Sequence, residues 1–566
     1  MTAEPSSIIA PPLAKIDWQE IIFAPRPQRL QLLRLKASWP CTDIAVRVHR
    51  NAPFEYIQQT IAPFLAYADL AGQFEFSDYD DSLPFQALES DADVELIWLD
   101  HERYRDRMDA ATLTDWLRAR CAALRQLSTA PILINNWPAD HETANGFNSL
   151  LQEVVKTVSG VRVIDLLPIY EDLGDAFLDR RLAAVGATTL SGTANLMIAR
   201  HLGLDILPAS LRPRLKAIAL DLDNTLYAGV LGEDGPEGLE LTPAHKLLQE
   251  KLRELRDSGL FLAVISKNDP QDVERLFETR KDFPLQRHDF SVMSVSWGRK
   301  SSGLATIAEK LRIGLDATLY LDDNTGELAE VTALQPDIKV IYAADPTHAL
   351  NALTDYPNLR AVSADATDQL RVNDLAAAEQ RAALRTQSLN PADYLASLAT
   401  KLAISVNDPS QLSRAHSLAN KTNQFILSLR RFTEAEVAAW VQDPDNRLVT
   451  ISMSDRLSDS GNIAAVFLKR HGGTIEVSEL CVSCRALGRN IEDLLLIKAI
   501  EIAYPDFTPH DLTIHHVTGP RNEPGRSWLR AFAALTEITA NGYITLPWPP
   551  PKAKEILDIS ILVRSA

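Results

Sequence analysis

In "LKAIALDLDNTLYAGVLGEDG" (residues 215–235) an apolar run ends in Asp221 and Asp223, two positions apart. On an extended chain both side chains leave the same face. Two anions that close repel each other unless a cation or a proton lies between them. Three later stretches carry matching chemistry: Ser266, Lys267 and Asn268 end "LFLAVISKN", Lys300 lies in "SWGRKSSG", and Asp322 and Asp323 end "ATLYLDD". Carboxylate oxygens are hard ligands for Mg²⁺, which keeps waters and accepts phosphate oxygens. The Ser266 hydroxyl and the Lys300 cation suit the far side of a phosphoryl group whose charge must be spread. One aspartate can act as nucleophile and form an aspartyl phosphate while the other manages the proton.

The elements that must hold these residues can be read from the pattern. "LKAIALDLD", "LFLAVIS", "ATLYLDDN" and "IKVIYAAD" are expected strands, with "AHKLLQEKLRELRDSG" as a helix between the first two. Ligands of an open α/β sheet bind beyond the carboxyl ends of its strands, so the four stretches should converge on one crevice. The chain between Thr225 and Ser266 is mostly needed for the scaffold helix, which leaves no room for a folded cap. Ahead of this unit, "DIAVRV", "DVELIWL", "APILIN" and "VRVIDLL" alternate with helical patterns over 112–127 and 147–158, the signature of another parallel sheet. "LPASLRPRL" marks a boundary, a polar Ala-rich helix over 368–388 reads as a connector, and from about 390 helix and strand mix as in an α+β fold. The expected organisation is α/β with three domains: 1–210, 211–350 and, after a helical linker over 351–390, 391–566.

Composition narrows the function. A net charge of −18 argues against nucleic-acid binding, and no apolar run approaches the length of a membrane helix. The start carries no basic segment followed by an apolar core, and four cysteines cannot staple a chain of 566 residues, so a reducing cytoplasm is expected.

The order DxDxT, Ser, Lys and an acidic pair resembles the haloacid dehalogenase-like (HAD) phosphotransferases. The resemblance implies Asp221 as nucleophile, Asp223 as general acid/base, and Thr225, Ser266, Lys267, Asn268 and Lys300 on substrate. It also implies Mg²⁺ held by Asp221, Asp322, Asp323 and the backbone carbonyl of Asp223. "CRALGRNIE" is similar to the acyl-CoA loop of GNAT acetyltransferases, with Arg485 and Gly488 in place and Asn490 where a small residue is usual. Together "DLDNTLYAGVLGEDG", "ISKND", "SWGRK", "YLDDN", "NKTNQF", "SCRALGR" and "TGPRNEP" resemble the FkbH-like family, a capless HAD domain of the IIIC type followed by a GNAT-like domain. The first α/β unit resembles the SGNH-hydrolase-like domain found at that family's start. It lacks the serine motif after its first strand, where "VHRNAPF" stands, and Ser191 and His201 restore no dyad, so it is expected to be non-hydrolytic.

The family implies transfer of a glyceryl unit from 1,3-bisphosphoglycerate to the thiol of an acyl carrier protein, with dephosphorylation, in polyketide-type biosynthesis. Cys484 would carry the acyl group and Arg485, Arg489 and Asn522 would bind substrate. The residues themselves leave Cys484 open between a reactive thiolate beside two arginines and a core filler. Departures are Tyr227-Ala228, where the family has Trp-Gly, and Leu328, where it has an arginine. The alternative is a HAD phosphatase of another small or carrier-bound metabolite, with the last domain only binding it. Asp81-Ser82-Leu83 copies the tripeptide around a carrier protein's modified serine, but strand-like flanks make it a turn, so the carrier must be another chain. Carrier proteins are typically acidic and so is this chain. Docking would therefore need a local basic surface, for which Arg430, Arg431 and the Arg485, Arg489, Arg521 and Arg526 group are candidates.

Overall fold

The computed structural model describes residues 11–360 and 397–564 except 86–87, 89, 180, 182–187, 488 and 551–559, together with 374, 377, 380–381 and 384. The chain divides into two compact units, 1–364 and 365–566. Among the described residues the first unit holds two five-stranded sheets and the second a seven-stranded one. Among the described residues no helix is long and apolar enough to cross a membrane.

In the first sheet, β1 (Thr42–Arg50), β2 (Leu70–Tyr79), β3 (Val94–Trp98), β4 (Ile132–Asn135) and β5 (Val161–Ile164) run parallel in the order β2-β1-β3-β4-β5. β3 and β4 are buried at every position, which is why each reads as an unbroken apolar run. β2 is an edge strand, half exposed along its length, and only its "FEF" stands out in the sequence. The serine-free turn after β1 is filled by amides: Asn51 donates to the Tyr104 hydroxyl (3.2 Å) and accepts from Asp100 N–H (2.7 Å). Ser191 accepts from Ala194 N–H (3.0 Å) as a helix cap and donates to the Ala176 carbonyl (2.6 Å), so it has no free role as a nucleophile.

The second sheet contains β6 (Ala217–Leu220), β7 (Phe261–Ser266), β8 (Val292–Val295), β9 (Thr318–Asp322) and β10 (Lys339–Tyr342), all parallel in the order β10-β9-β6-β7-β8. Between β6 and β7 lie only helices Leu231–Gly238 and Pro243–Asp257, and between β7 and β8 the chain forms helix Pro270–Thr279 and a short 3₁₀ turn, so no cap domain is present. Thr242, Asp269 and Asn324 cap three of the crossover helices by accepting from first-turn N–H groups.

Polar groups knit the two sheets of this unit together. Gln19 donates to the Val340 carbonyl (3.0 Å) and accepts from Tyr342 N–H (3.0 Å), so one side chain pairs with the open edge of β10. Its amide also donates to the Tyr67 hydroxyl (3.0 Å), and Lys15 bridges to Asp69 at 2.6 Å.

His101 makes this unit sensitive to acid. Its Nε2 donates to the Asn135 carbonyl (2.9 Å), the ring packs on Trp137 and Phe147, and Nδ1 is buried with no partner among the described residues. Burial therefore pushes its pKa down to about 4. The unfolded chain binds this proton below about pH 6.5 and the folded chain only near 4. Stability from this residue is thus lost as pH falls through that window, by an amount on the order of 3 kcal/mol. The unfolding free energy measured from pH 7 to 4 should fall less steeply in His101→Phe than in the wild type.

In the second unit, β11 (Lys401–Val406), β12 (Asn446–Ser454), β13 (Asp459–His471) and β14 (Thr474–Val482) form an antiparallel run. β15 (Asp511–Val517) joins β14 in parallel, β16 (Asn541–Pro547) pairs antiparallel with β15, and β17 (Ser560–Arg564) closes the other edge beside β11. Helices Leu412–Lys421, Glu434–Trp440, Glu492–Ala503 and Glu523–Phe532 complete the α+β arrangement expected there. The expected connector over 368–388 falls outside the described residues apart from 374, 377, 380–381 and 384, which are helical.

β14 and β15 pair only from Thr474↔Asp511 to Val477↔Ile514 and separate beyond. The gap is filled by the chain's own residues 424–427. Phe425 accepts from Val482 N–H (2.9 Å), Leu427 from Val517 N–H (2.8 Å) and Gln424 from Gly525 N–H (3.2 Å). The buried Glu479 carboxylate fastens this segment by accepting from Leu427, Ser428 and Arg430 N–H and from the Ser428 hydroxyl. "NKTNQF" therefore begins a structural insert between two strands.

Candidate active site

The strand ends of the second sheet bring together the residues singled out by their spacing. Asp221 follows β6, Ser266 ends β7, Asp322 ends β9, and Lys300 opens helix Lys300–Leu311 after β8. Lys300 Nζ lies 3.0 Å from Asp221 Oδ2 and 2.5 Å from Asp322 Oδ2, all three residues being buried. Asp322 also accepts from Asn324 N–H (2.8 Å) and from the Tyr320 hydroxyl, which the sequence did not single out. Asp221, Asp322 and Asp323 each offer an oxygen within 4.8 Å of the others, the arrangement a single cation needs.

Electrostatics follow from this crowding. Burial pushes Asp221 up to about 6, with the Asp322 charge adding to the shift and Lys300 opposing it. Asp323 is raised by burial and by Asp322. Burial works to lower the Lys300 pKa, but Asp221 and Asp322 outweigh it and the ammonium stays charged. Three carboxylates facing one lysine leave a site with excess negative charge and all-oxygen donors. That set fits a hard divalent cation.

Asp223 stands apart from the three. Its Oδ1 accepts from the Tyr227 hydroxyl (2.8 Å) and from Leu231 N–H (3.0 Å), and its Oδ2 from Asn268 Nδ2 (2.9 Å). The same Asn268 amide donates to Ser266 Oγ (3.1 Å), which links the carboxylate expected to handle the proton to the hydroxyl expected on phosphate. Thr225 Oγ1 is buried with no hydrogen-bond partner among the described residues. Lys267, expected on substrate, is bound to Glu327 Oε1 at 2.5 Å, an acceptor two crossovers further along the chain that the spacing gave no reason to pair with it.

The expected site of the second unit is assembled differently. Cys484 is half-buried in the turn after β14, while Cys481 is sealed in the core. Arg485 is buried and donates to the Asn462 carbonyl (3.0 Å). Arg489 is buried and donates to Asp455 Oδ2 (2.9 Å), a carboxylate that Arg381 also holds at 2.9 Å. Asn522 is fully buried; its amide donates to the Ile426 and Val517 carbonyls (3.0 and 2.8 Å) and accepts from Gly519 N–H (2.8 Å). Each of these three side chains, expected on substrate, braces the unit's own loops. Gly488 lies outside the described residues. Helix Glu492–Ala503 after that loop begins with Glu492 and Asp493, acidic residues in the first turn that suit its N-terminal dipole.

Of the arginines expected to form a basic docking surface, Arg430 and Arg431 are exposed, while Arg485, Arg489 and Arg526 are buried. Arg526 is buried and reaches the Thr539 carbonyl (3.3 Å), and Arg431 donates to the Thr422 carbonyl (2.9 Å) and Asn423 (2.8 Å). Arg430 lies over the Phe432 ring at 4.4 Å.

No protein-family model matches the chain, and no curated protein matches it. Among solved structures the chain is similar to the N-terminal part of a Bacteroides fragilis protein containing a phosphatase domain, complexed with Mg. The identity is 20%, the TM-score 0.47, and the match covers 61% of this chain and 99% of that one. It is also similar to a protein described as a HAD family hydrolase from Streptomyces avermitilis, at 15% identity and TM-score 0.20 over 26% of this chain and 94% of that one. A third similarity is to a variant of the Vibrio cholerae spermidine N-acetyltransferase, at 15% identity and TM-score 0.18 over 23% of this chain and 76% of that one.

Proposed function

We propose that the crevice beyond β6, β7 and β9 is the site of a Mg²⁺-dependent phosphatase in which Asp221 attacks phosphorus. The observation that carries this reading is the convergence of Asp221, Asp322 and Asp323 around one point, with the buried Lys300 against two of them. A Mg²⁺ ion held there by the three carboxylates would neutralise charge so that an anionic nucleophile can meet an anionic phosphate. A carboxylate oxygen of Asp221 bonds to phosphorus as the bond to the leaving oxygen breaks, and the Asp223 carboxyl gives that oxygen a proton. Asp223 then takes a proton from water as the water oxygen displaces Asp221 from phosphorus. Lys300 and the Ser266 hydroxyl spread the charge of the phosphoryl group.

The finer reading rests on the resemblance of the motif set to the FkbH-like family. In it the donor is 1,3-bisphosphoglycerate, a phosphorylated C3 metabolite, and the acceptor is the thiol of a separate acyl carrier protein. The Cys484 sulfur bonds to the acyl carbon as the acyl C–O bond to phosphate breaks, and the carrier thiol then displaces Cys484. The remaining phosphate ester is hydrolysed at Asp221. Half-burial of Cys484 leaves it approachable, which supports this reading. A second reading is favoured by the internal commitment of Arg485, Arg489 and Asn522: a phosphatase of another phosphorylated metabolite, with the second unit as a binding module.

Intact-protein mass spectrometry after incubation with 1,3-bisphosphoglycerate and Mg²⁺ separates the two. An acyl adduct of glyceryl or phosphoglyceryl mass, lost in Cys484→Ala, is expected on the first reading. Phosphate release with no adduct would leave the second.

A further inference from the structure

A carboxylate has about four lone-pair directions, two on each oxygen. On Asp223 they are filled unequally. Oδ1 takes two donors, the Tyr227 hydroxyl at 2.8 Å and Leu231 N–H at 3.0 Å, so both of its directions are occupied. Among the described residues Oδ2 takes only the Asn268 amide, at 2.9 Å. The geometry points to Tyr227 as a positioning residue that, with Leu231 N–H, closes Oδ1 of Asp223 and leaves Oδ2 as the oxygen that hands the proton to the leaving group.

Tyr227 is well placed for this work. It is fully buried, its ring stacks on Phe283 at 5.8 Å, and residues 223 and 227 are joined by a backbone bridge, so the hydroxyl cannot swing away. Burial, with the Asp223 charge added, keeps its phenol protonated well above the usual tyrosine range, and it remains a donor. Asn268 fixes the other oxygen and ties it to Ser266, so the proton donor and the phosphate-facing hydroxyl share one brace. The inference rests on the phosphatase reading of the site and adds to it which oxygen transfers the proton and what holds it there.

The experiment compares kcat/KM, which ends at phosphoenzyme formation, for two substrates of the full-length protein. p-Nitrophenyl phosphate has a leaving group that departs without a proton, whereas glycerol 3-phosphate has an alkoxide leaving group that needs one. Tyr227→Phe keeps the stacked ring and removes only the hydroxyl. It should lower kcat/KM on glycerol 3-phosphate by about ten- to a hundredfold, a part of what a full general acid contributes, and on p-nitrophenyl phosphate by less than about twofold. The dissociation constant for inorganic phosphate with Mg²⁺ should not change. In an Asp223→Asn background the Tyr227→Phe change should add nothing, since it acts through the carboxylate. Equal loss on both substrates, or no loss on either, would overturn the inference while leaving the phosphatase reading standing. A wild-type protein inactive on both substrates would overturn the reading and the inference with it.

Discussion

Asp221→Asn should lose at least about a thousandfold in phosphate release, because an amide oxygen does not attack phosphorus as a carboxylate does. The variant is close to isosteric, so Lys300 keeps its 2.5 Å contact with Asp322 and the fold has no new cavity to absorb. Burial already disfavours the Asp221 charge, to the extent that its pKa is raised to about 6, and the Asp322 charge adds to the penalty. Without metal, the substitution should therefore leave the unfolding temperature unchanged or higher. With Mg²⁺ it should reduce the metal-induced rise in that temperature, since one of three anionic ligands has become neutral. Phosphate release and thermal unfolding with and without EDTA check both parts. Full activity in the variant would remove Asp221 from the chemistry.

Lys300→Met should cost stability first and activity second. The lysine is the buried cation between Asp221 and Asp322, and a buried ion pair broken from one side typically costs about 3–5 kcal/mol because the remaining charges lose their partner. Mg²⁺ would neutralise the same carboxylates, so it should stabilise the variant more than the wild type. Denaturant unfolding in EDTA and in Mg²⁺ reads that difference without relying on turnover. Activity should fall by about a hundred- to a thousandfold as the phosphoryl group loses its fixed cation. An equal response to Mg²⁺ in variant and wild type would show that the lysine and the metal do not share ligands.

The central sheet was legible because β6, β7 and β9 are buried on both faces and read as apolar runs, each stopping at a polar residue that the structure places in the crevice. Asp221, Lys300 and Asp322 meet as their positions at strand and helix ends required. The spacing held no sign that Tyr227 would serve Asp223 or that Glu327 would hold Lys267, since both pairings arise from how the turns fold back over the strand ends. β2 was mostly hidden because an edge strand with one wet face alternates weakly. The internal partners of Arg489 were hidden for a related reason. Arg381, Asp455 and Arg489 are far apart along the chain, and only the tertiary fold brings Asp455 and Arg381 against Arg489 and buries them together. Asn522 lay in a motif whose polar residue proved to be a brace for the segment between β14 and β15.

The most direct test of the account is to quench the enzyme during turnover of a phosphate ester with Mg²⁺, reduce it with borohydride and map the product by peptide mass spectrometry. An aspartyl phosphate is reduced to homoserine, whereas a free carboxylate is not. Homoserine at position 221, absent without substrate, is the predicted result. Turnover with no homoserine at 221, or with homoserine at Asp322 or Asp323 instead, would contradict the assignment of Asp221 as the attacking group.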